Sequence, residues 1–181
     1  MHLIAALGNP GPEHEHQRHN VGFMVGEELR RRAGWGPLRT KFNGLFGDGL
    51  MEGRRTALLL PMSYMNRSGE PVAKAARFYR VPVEHLLVIH DEVELPFGEV
   101  RLKEGGGLGG HNGLRSIEAA LGSRDFWRVR VGVGRPEEGG RSLANYLLSP
   151  FTEPPDEVRS LVAAAAEAAQ EWLREREEES K

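Results

Sequence analysis

Leu86-Leu87-Val88-Ile89-His90-Asp91-Glu92 is the stretch whose reading decides the fold. Four consecutive apolar residues suit a short strand buried on both faces. The run then delivers three ionisable side chains at its C-terminal end, where open α/β sheets gather their functional groups. Working outward, Leu3-Ile4-Ala5-Ala6-Leu7 is a second buried strand, stopped by the tight turn Gly8-Asn9-Pro10-Gly11. Thr56-Ala57-Leu58-Leu59-Leu60, ended by Pro61, is a third, and Val129-Arg130-Val131-Gly132-Val133 a fourth. Gly44 to Gly53 has the glycine-rich composition of an edge strand, and Glu99 to Lys103 reads as extended.

Helical patterns lie between these runs. Asn20 is the expected N-cap for Val21, Val25 and Leu29, with Gly34 and Pro37 ending the helix. Ser68 is the expected cap for Val72, Ala76 and Tyr79, with Pro82 just beyond. Asn112 is the expected cap for Leu114, Ile117 and Leu121, and Val158 to Glu178 reads as a long helix. Alternating strands and helices predict an α/β fold, a central sheet between helices, over a single domain spanning residues 1–181.

Composition narrows the functional classes. No apolar run reaches membrane-spanning length, and the N-terminus lacks a basic region followed by a long apolar one, so no membrane segment or signal peptide is expected. The absence of cysteine excludes disulfides and thiolate metal sites and fits a cytoplasmic location. The net charge of −2 argues against gross affinity for nucleic acid, but the charge is uneven. Residues 156–181 carry eight acidic and four basic side chains, which leaves the first 155 residues at +2. The arginines and lysines between Arg54 and Arg141 read either as a basic face or as a solvated surface.

Gly105-Gly106-Gly107-Leu108-Gly109-Gly110-His111-Asn112-Gly113 contains six glycines in nine residues. Such a cluster is entropically costly unless the backbone needs unusual dihedrals or a ligand must approach it closely. The glycines match the dinucleotide fingerprint in spacing but not in context, because Asp125 precedes its strand instead of ending it. High mobility is expected for Gly105 to Gly110, with Asn112 as the main chemical contact of this wall.

His14, His16 and His19 form His-x-His-x2-His, a possible metal set with Asp91; the alternative for His14 and His16 is a solvated loop. His19 immediately precedes a helix start, where the helix dipole disfavours the imidazolium, so it is a candidate general base. Asp91 is the candidate partner to fix its tautomer; an ordinary histidine before a cap is the competing reading. Asn9, Asn20, Asn66 and Asn112 lie at strand ends or helix starts, and their amides suit recognition of a peptide bond or a developing oxyanion.

Five segments together resemble one family, the bacterial peptidyl-tRNA hydrolases. They are Gly8-Asn9-Pro10-Gly11, Arg18-His19-Asn20, Pro61 through Gly69, His90 through Pro96, and Gly105 through Leu114. They come in the family's order and at near-family spacing, over residues 3 to about 150 and more loosely the last helix. The resemblance implies a twisted mixed sheet between helices. It also implies hydrolysis of the ester joining a peptide to the 3′-terminal ribose of tRNA, returning tRNA dropped by stalled ribosomes. In that picture His19 activates water, Asp91 orients the imidazole, and neither metal nor cofactor takes part. Asn66 and Asn112 bind substrate and polarise the carbonyl. Asn9 contacts the peptide unit that separates peptidyl-tRNA from aminoacyl-tRNA, and Tyr64 lines the site. Lys103 and Arg130 hold the 5′ phosphate of tRNA, assisted by Arg101. His111 matches the motif, in a role left open between chemistry and structure. His14 stands where the family usually has tyrosine, in a substrate-contacting position. The implied partner is peptidyl-tRNA, with no membrane and no obligate protein partner, and the chain is expected to be monomeric.

The sequence also admits two other readings. Noncatalytic relatives that assist RNA splicing have a similar fold, and the set Asn9, His19, Asn66, Asp91 and Asn112 is what separates an enzyme from such an RNA-binding module. A dinucleotide-binding oxidoreductase is the more distant alternative.

Overall fold

In the strand at Leu86–Glu92, alternate side chains leave the sheet on opposite faces, and both faces are covered. A computed structural model of the chain describes residues 1–176. Its strands are β1 (His2–Ala6), β2 (Arg39–Lys41), β3 (Gly44–Met51), β4 (Arg54–Pro61), β5 (Leu86–Glu92), β6 (Val100–Glu104) and β7 (Trp127–Gly132). Its helices are α1 (Val21–Ala33), α2 (Gly69–Phe78), α3 (Asn112–Leu121), α4 (Leu143–Leu147) and α5 (Pro155–Arg174). The strands form one mixed sheet in the order β2-β3-β4-β1-β5-β7-β6. β4, β1, β5 and β7 run parallel, while β2, β3 and β6 are antiparallel additions at the two edges. The expected α/β sandwich is therefore present.

Period-two alternation builds two cores. Ile4, Leu58, Leu87, Ile89 and Val129 meet Val25 and Leu29 of α1 and Leu161, Ala165 and Trp172 of α5. Leu3, Ala57, Leu59, Leu86 and Val88 meet Val72 and Ala76 of α2 and Leu114 and Ile117 of α3. Both cores consist of buried side chains, each contributing about 1.5–3 kcal/mol for a large aliphatic residue. Gly22 shows how tightly α1 lies on the sheet: a Cβ there would sit 2.4 Å from Leu7 O and 2.8 Å from Ile89 O. That close approach brings the turn before α1 onto the ends of β1 and β5.

Several local expectations are corrected. β3 is covered by β2 from Gly44 to Phe46, so only its second half is an edge. α5 begins at Pro155, where proline suits the first helical turn, not at Val158. Residues 177 and 178 of the expected helix lie outside the described residues. None of the three expected caps works as one. Asn20 makes no side-chain cap bond, Ser68 Oγ donates to Met65 O, and the α3 cap is His111, one residue before Asn112. α4 has no apolar periodicity long enough to be read from sequence. Among the described residues, no helix is long and apolar enough to cross a membrane.

Candidate active site

Because β4, β1, β5 and β7 are parallel and adjacent, their C-terminal ends open on the same side of the sheet. Asn9 follows β1, Tyr64 and Asn66 follow β4, Asp91 is the penultimate residue of β5, and α4 follows β7. These residues line a cleft of about 500 Å³ together with His19, His111, Asn112 and the glycine loop. Seven of the residues singled out from sequence thus converge: Asn9, His19, Tyr64, Asn66, Asp91, His111 and Asn112. Tyr64 holds a φ of 66°, unusual for a side-chain-bearing residue, and its exposed side chain lines the cleft.

Asp91 is buried and accepts from two imidazoles. His19 Nδ1 donates to Oδ2 at 2.6 Å, and His111 Nε2 donates to Oδ1 at 2.8 Å. The other nitrogen of each ring sets its state. His111 Nδ1 accepts from Gly113 N at 3.1 Å and Leu114 N at 3.2 Å, capping α3. A nitrogen accepting two N–H bonds carries no proton, so His111 bears its proton on Nε2, toward Asp91. Among the described residues His19 Nε2 has no hydrogen-bond partner, and it belongs to a cleft-lining ring. Burial alone would lower the His19 pKa, but the Asp91 charge and hydrogen bond outweigh it and raise the value above the usual 6.5. Burial likewise opposes ionisation of Asp91, and the two imidazoles reverse this and hold its carboxyl well below the ordinary range. Beneath them, His90 is buried with its Nδ1 donating to Asp91 O, and burial with His111 nearby lowers its pKa to about 4.

The amides divide into fixed and unengaged. Asn20 clamps the Asn9 backbone, accepting from Asn9 N and donating to Asn9 O, both at 2.9 Å. Asn9 Oδ1 accepts from Met65 N at 2.7 Å, so its Nδ2 is left as a donor. The Asn66 and Asn112 side chains are exposed on the cleft and form no hydrogen bond among the described residues.

The remaining candidates lie elsewhere. His14 is held in the 12–14 turn by Gln17 Oε1 at 2.7 Å and is not among the cleft-lining residues, nor is His16. The compact donor cluster is instead His19, Asp91 and His111, whose ligand atoms lie within 4.8 Å of one another. Arg101 and Arg130 are directly opposed across β6 and β7, with Lys103 two residues along the same face. Arg130 Nε donates to Glu92 Oε1 at 2.8 Å, and the Lys103 ammonium lies over Gly106.

The glycine loop needs its glycines, since Gly105, Gly106, Gly109 and Gly110 all have φ between 59° and 98°. It follows an antiparallel edge strand, which is not the setting of a dinucleotide site. Gly105 N donates to Phe126 O, and Arg128 donates to the carbonyls of Gly106 and Gly107. These bonds narrow the expected mobility to Gly109 and Gly110, which have no hydrogen bond among the described residues. Sequence reading also missed His111 as the second partner of Asp91; the signal was the failure of Asn112 to be the only polar residue at the helix start.

A mixed α/β sheet whose four parallel central strands converge on a carboxylate, two imidazoles and three amides defines an enzyme of the hydrolase class. The sequence pattern of the peptidyl-tRNA hydrolase family matches residues 3–181, and the chain belongs to that family. It is similar to the peptidyl-tRNA hydrolase of Geotalea daltonii, at 50% identity over 159 residues covering 88% of this chain and 81% of the relative. The Citrifermentans bemidjiense peptidyl-tRNA hydrolase is 45% identical over 174 residues, covering 96% and 92%. The crystal structure of the Acinetobacter baumannii peptidyl-tRNA hydrolase superposes with a TM-score of 0.83 at 40% identity, covering 94% of this chain and 85% of that one.

Proposed function

We propose that the chain hydrolyses the ester between a peptide and the 3′-terminal ribose of tRNA, with His19 as general base and without a metal ion. The observation that carries this reading is the His19–Asp91 bond at 2.6 Å, which commits Nδ1 and leaves Nε2 as the proton acceptor. Nε2 takes a proton from water, and the water oxygen attacks the ester carbonyl. The tetrahedral oxyanion is stabilised by the Asn66 and Asn112 amides. Collapse breaks the bond between carbonyl carbon and ribose oxygen, and the imidazolium returns its proton to that oxygen. Atoms balance with water as the only co-reactant.

Asn9 supplies substrate choice in this scheme. With Oδ1 engaged by Met65 N, Nδ2 offers only donors, which suit a peptide carbonyl and repel a free α-ammonium. Arg101, Lys103 and Arg130 form a basic strip fitted to a tRNA phosphate, with Arg130 already sharing its charge with Glu92. The metal alternative is disfavoured by the tautomers. A cation on His111 Nε2 would move that proton to Nδ1, against the Gly113 and Leu114 N–H groups that Nδ1 now accepts.

The test is hydrolysis of N-blocked against free aminoacyl-tRNA, with and without a strong chelator. The proposal expects cleavage of the blocked substrate only, insensitive to chelation. Tight RNA binding with no cleavage would overturn it in favour of an RNA-binding module, and loss of activity with the chelator would overturn the metal-independent mechanism.

A further inference from the structure

Two arginines, Arg18 and Arg128, are buried at 3% and 2% exposure. Among the described residues neither has an acidic side chain within ion-pair distance. A buried guanidinium is costly unless its donors are used, and here each makes three hydrogen bonds, all to backbone carbonyls except one from Arg18 to the Thr152 hydroxyl. Arg18 Nη1 donates to Tyr146 O at 3.0 Å and to Ser149 O at 3.4 Å, and Nη2 donates to Thr152 Oγ1 at 3.5 Å. Its guanidinium also lies 3.9 Å from the Tyr146 ring centroid. Arg128 donates to Gly107 O at 2.5 Å and, through Nη2, to Gly106 O at 3.0 Å and Arg124 O at 2.8 Å. It rests 4.7 Å over the Phe126 ring. In both residues Nε is buried without a partner among the described residues.

What the two arginines grip is the pair of walls facing His19. α4 and the residue after it line the cleft with Leu143, Leu147 and Leu148, and the end of the glycine loop lines it with Leu108, Gly109 and Gly110. Neither arginine itself reaches the cleft. We propose that Arg18 and Arg128 are positioning residues that set the two walls of the substrate cleft, Arg18 through the end of α4 and Arg128 through the glycine loop. The chain places Arg18 economically: in the single turn Arg18–Asn20, Arg18 fastens a wall, His19 meets Asp91, and Asn20 clamps Asn9. Methionine would fill the same volumes without the desolvation cost, so the arginines are retained for the carbonyls they hold.

The inference rests on the proposed esterase activity, and wild-type turnover of N-blocked aminoacyl-tRNA tests that reading separately. Arg18→Met and Arg128→Met, each with its lysine counterpart, are compared for KM, kcat and amide hydrogen exchange. Arg54→Met is the control, because Arg54 grips the carbonyls of Arg174 and Arg176 at the end of α5, away from the cleft. Each methionine variant is expected to raise KM about tenfold with kcat within about threefold of wild type. Exchange should rise at residues 143–149 only for Arg18→Met and at 105–110 only for Arg128→Met. Lysine retains charge and donors but not the planar fork, so it should recover part of KM. Arg54→Met should lower the melting temperature and leave KM unchanged. Wild-type KM in folded methionine variants, or the same exchange pattern in both, would overturn the proposal. If the methionine variants do not fold, wild-type exchange at both segments in the lysine variants would overturn it.

Discussion

Two helices begin at the same carboxylate and offer it the same kind of side chain, yet the two rings end in different states. At the start of α1, His19 spends one nitrogen on Asp91 and leaves the other to the cleft. At the start of α3, His111 spends one nitrogen on Asp91 and the other on two backbone N–H groups of its own helix. The difference is not proximity to the acid, since the bonds are 2.6 and 2.8 Å. It is what each second nitrogen faces. A histidine inside the cap is consumed by capping, whereas one that precedes its helix by a turn keeps a lone pair for chemistry.

The comparison breaks most visibly at His19. His19→Ala is expected to lower kcat by about 10³–10⁴-fold with tRNA affinity nearly unchanged, measured by single-turnover hydrolysis and filter binding. If His111→Ala were equally damaging, the two rings would not differ as described. Asp91→Asn should cost less, about 10²-fold in kcat, because it disturbs orientation while leaving the base. It should also move the acidic limb of the kcat/KM profile to lower pH, since the charge that raises the His19 pKa is gone. His111→Asn keeps a capping side chain but loses the bond to Asp91; about tenfold or less in kcat and about 1 kcal/mol in denaturant stability are expected.

The smallest effects are in pH dependence, and they have opposite signs. The His19 pKa is raised on folding, so its pairing stabilises the fold fully below 6.5 and that contribution is lost as pH rises through the folded value. Activity behaves inversely and should rise through the same value, above 6.5. His2 and His90 are lowered from 6.5 to about 4, chiefly by burial, so they are held neutral in the fold. Their contribution is present above 6.5 and lost as pH falls toward 4. Thermal melts across pH 4–8 should therefore weaken on the acid side, and less so in His90→Gln.

Much of the sheet was legible because its strands are short apolar runs ended by Pro or Gly, as at Leu3–Leu7 and Thr56–Leu60. His19, Asp91, Asn9, Asn66 and Asn112 were legible because strand ends and helix starts are sequence-local features. The caps were not. Asn20, Ser68 and Asn112 are the residue types that favour caps, but Asn20 is spent on Asn9, Ser68 turns its hydroxyl back to Met65 O three residues earlier, and Asn112 faces the cleft. His14 was singled out because it stands where the resembled family usually has tyrosine; its ring is hydrogen-bonded to Gln17 in its own turn, a contact that the sequence does not encode. The two buried arginines were unreadable for the same reason: their partners are carbonyls, which every residue has.

The most direct measurement is a ¹⁵N NMR titration of the His19 ring in the substrate-free protein. The account predicts a neutral form with the proton on Nδ1 and the lone pair on Nε2, converting to imidazolium with a pKa above 6.5. A neutral form carrying its proton on Nε2, or a pKa below 6.5, would contradict it.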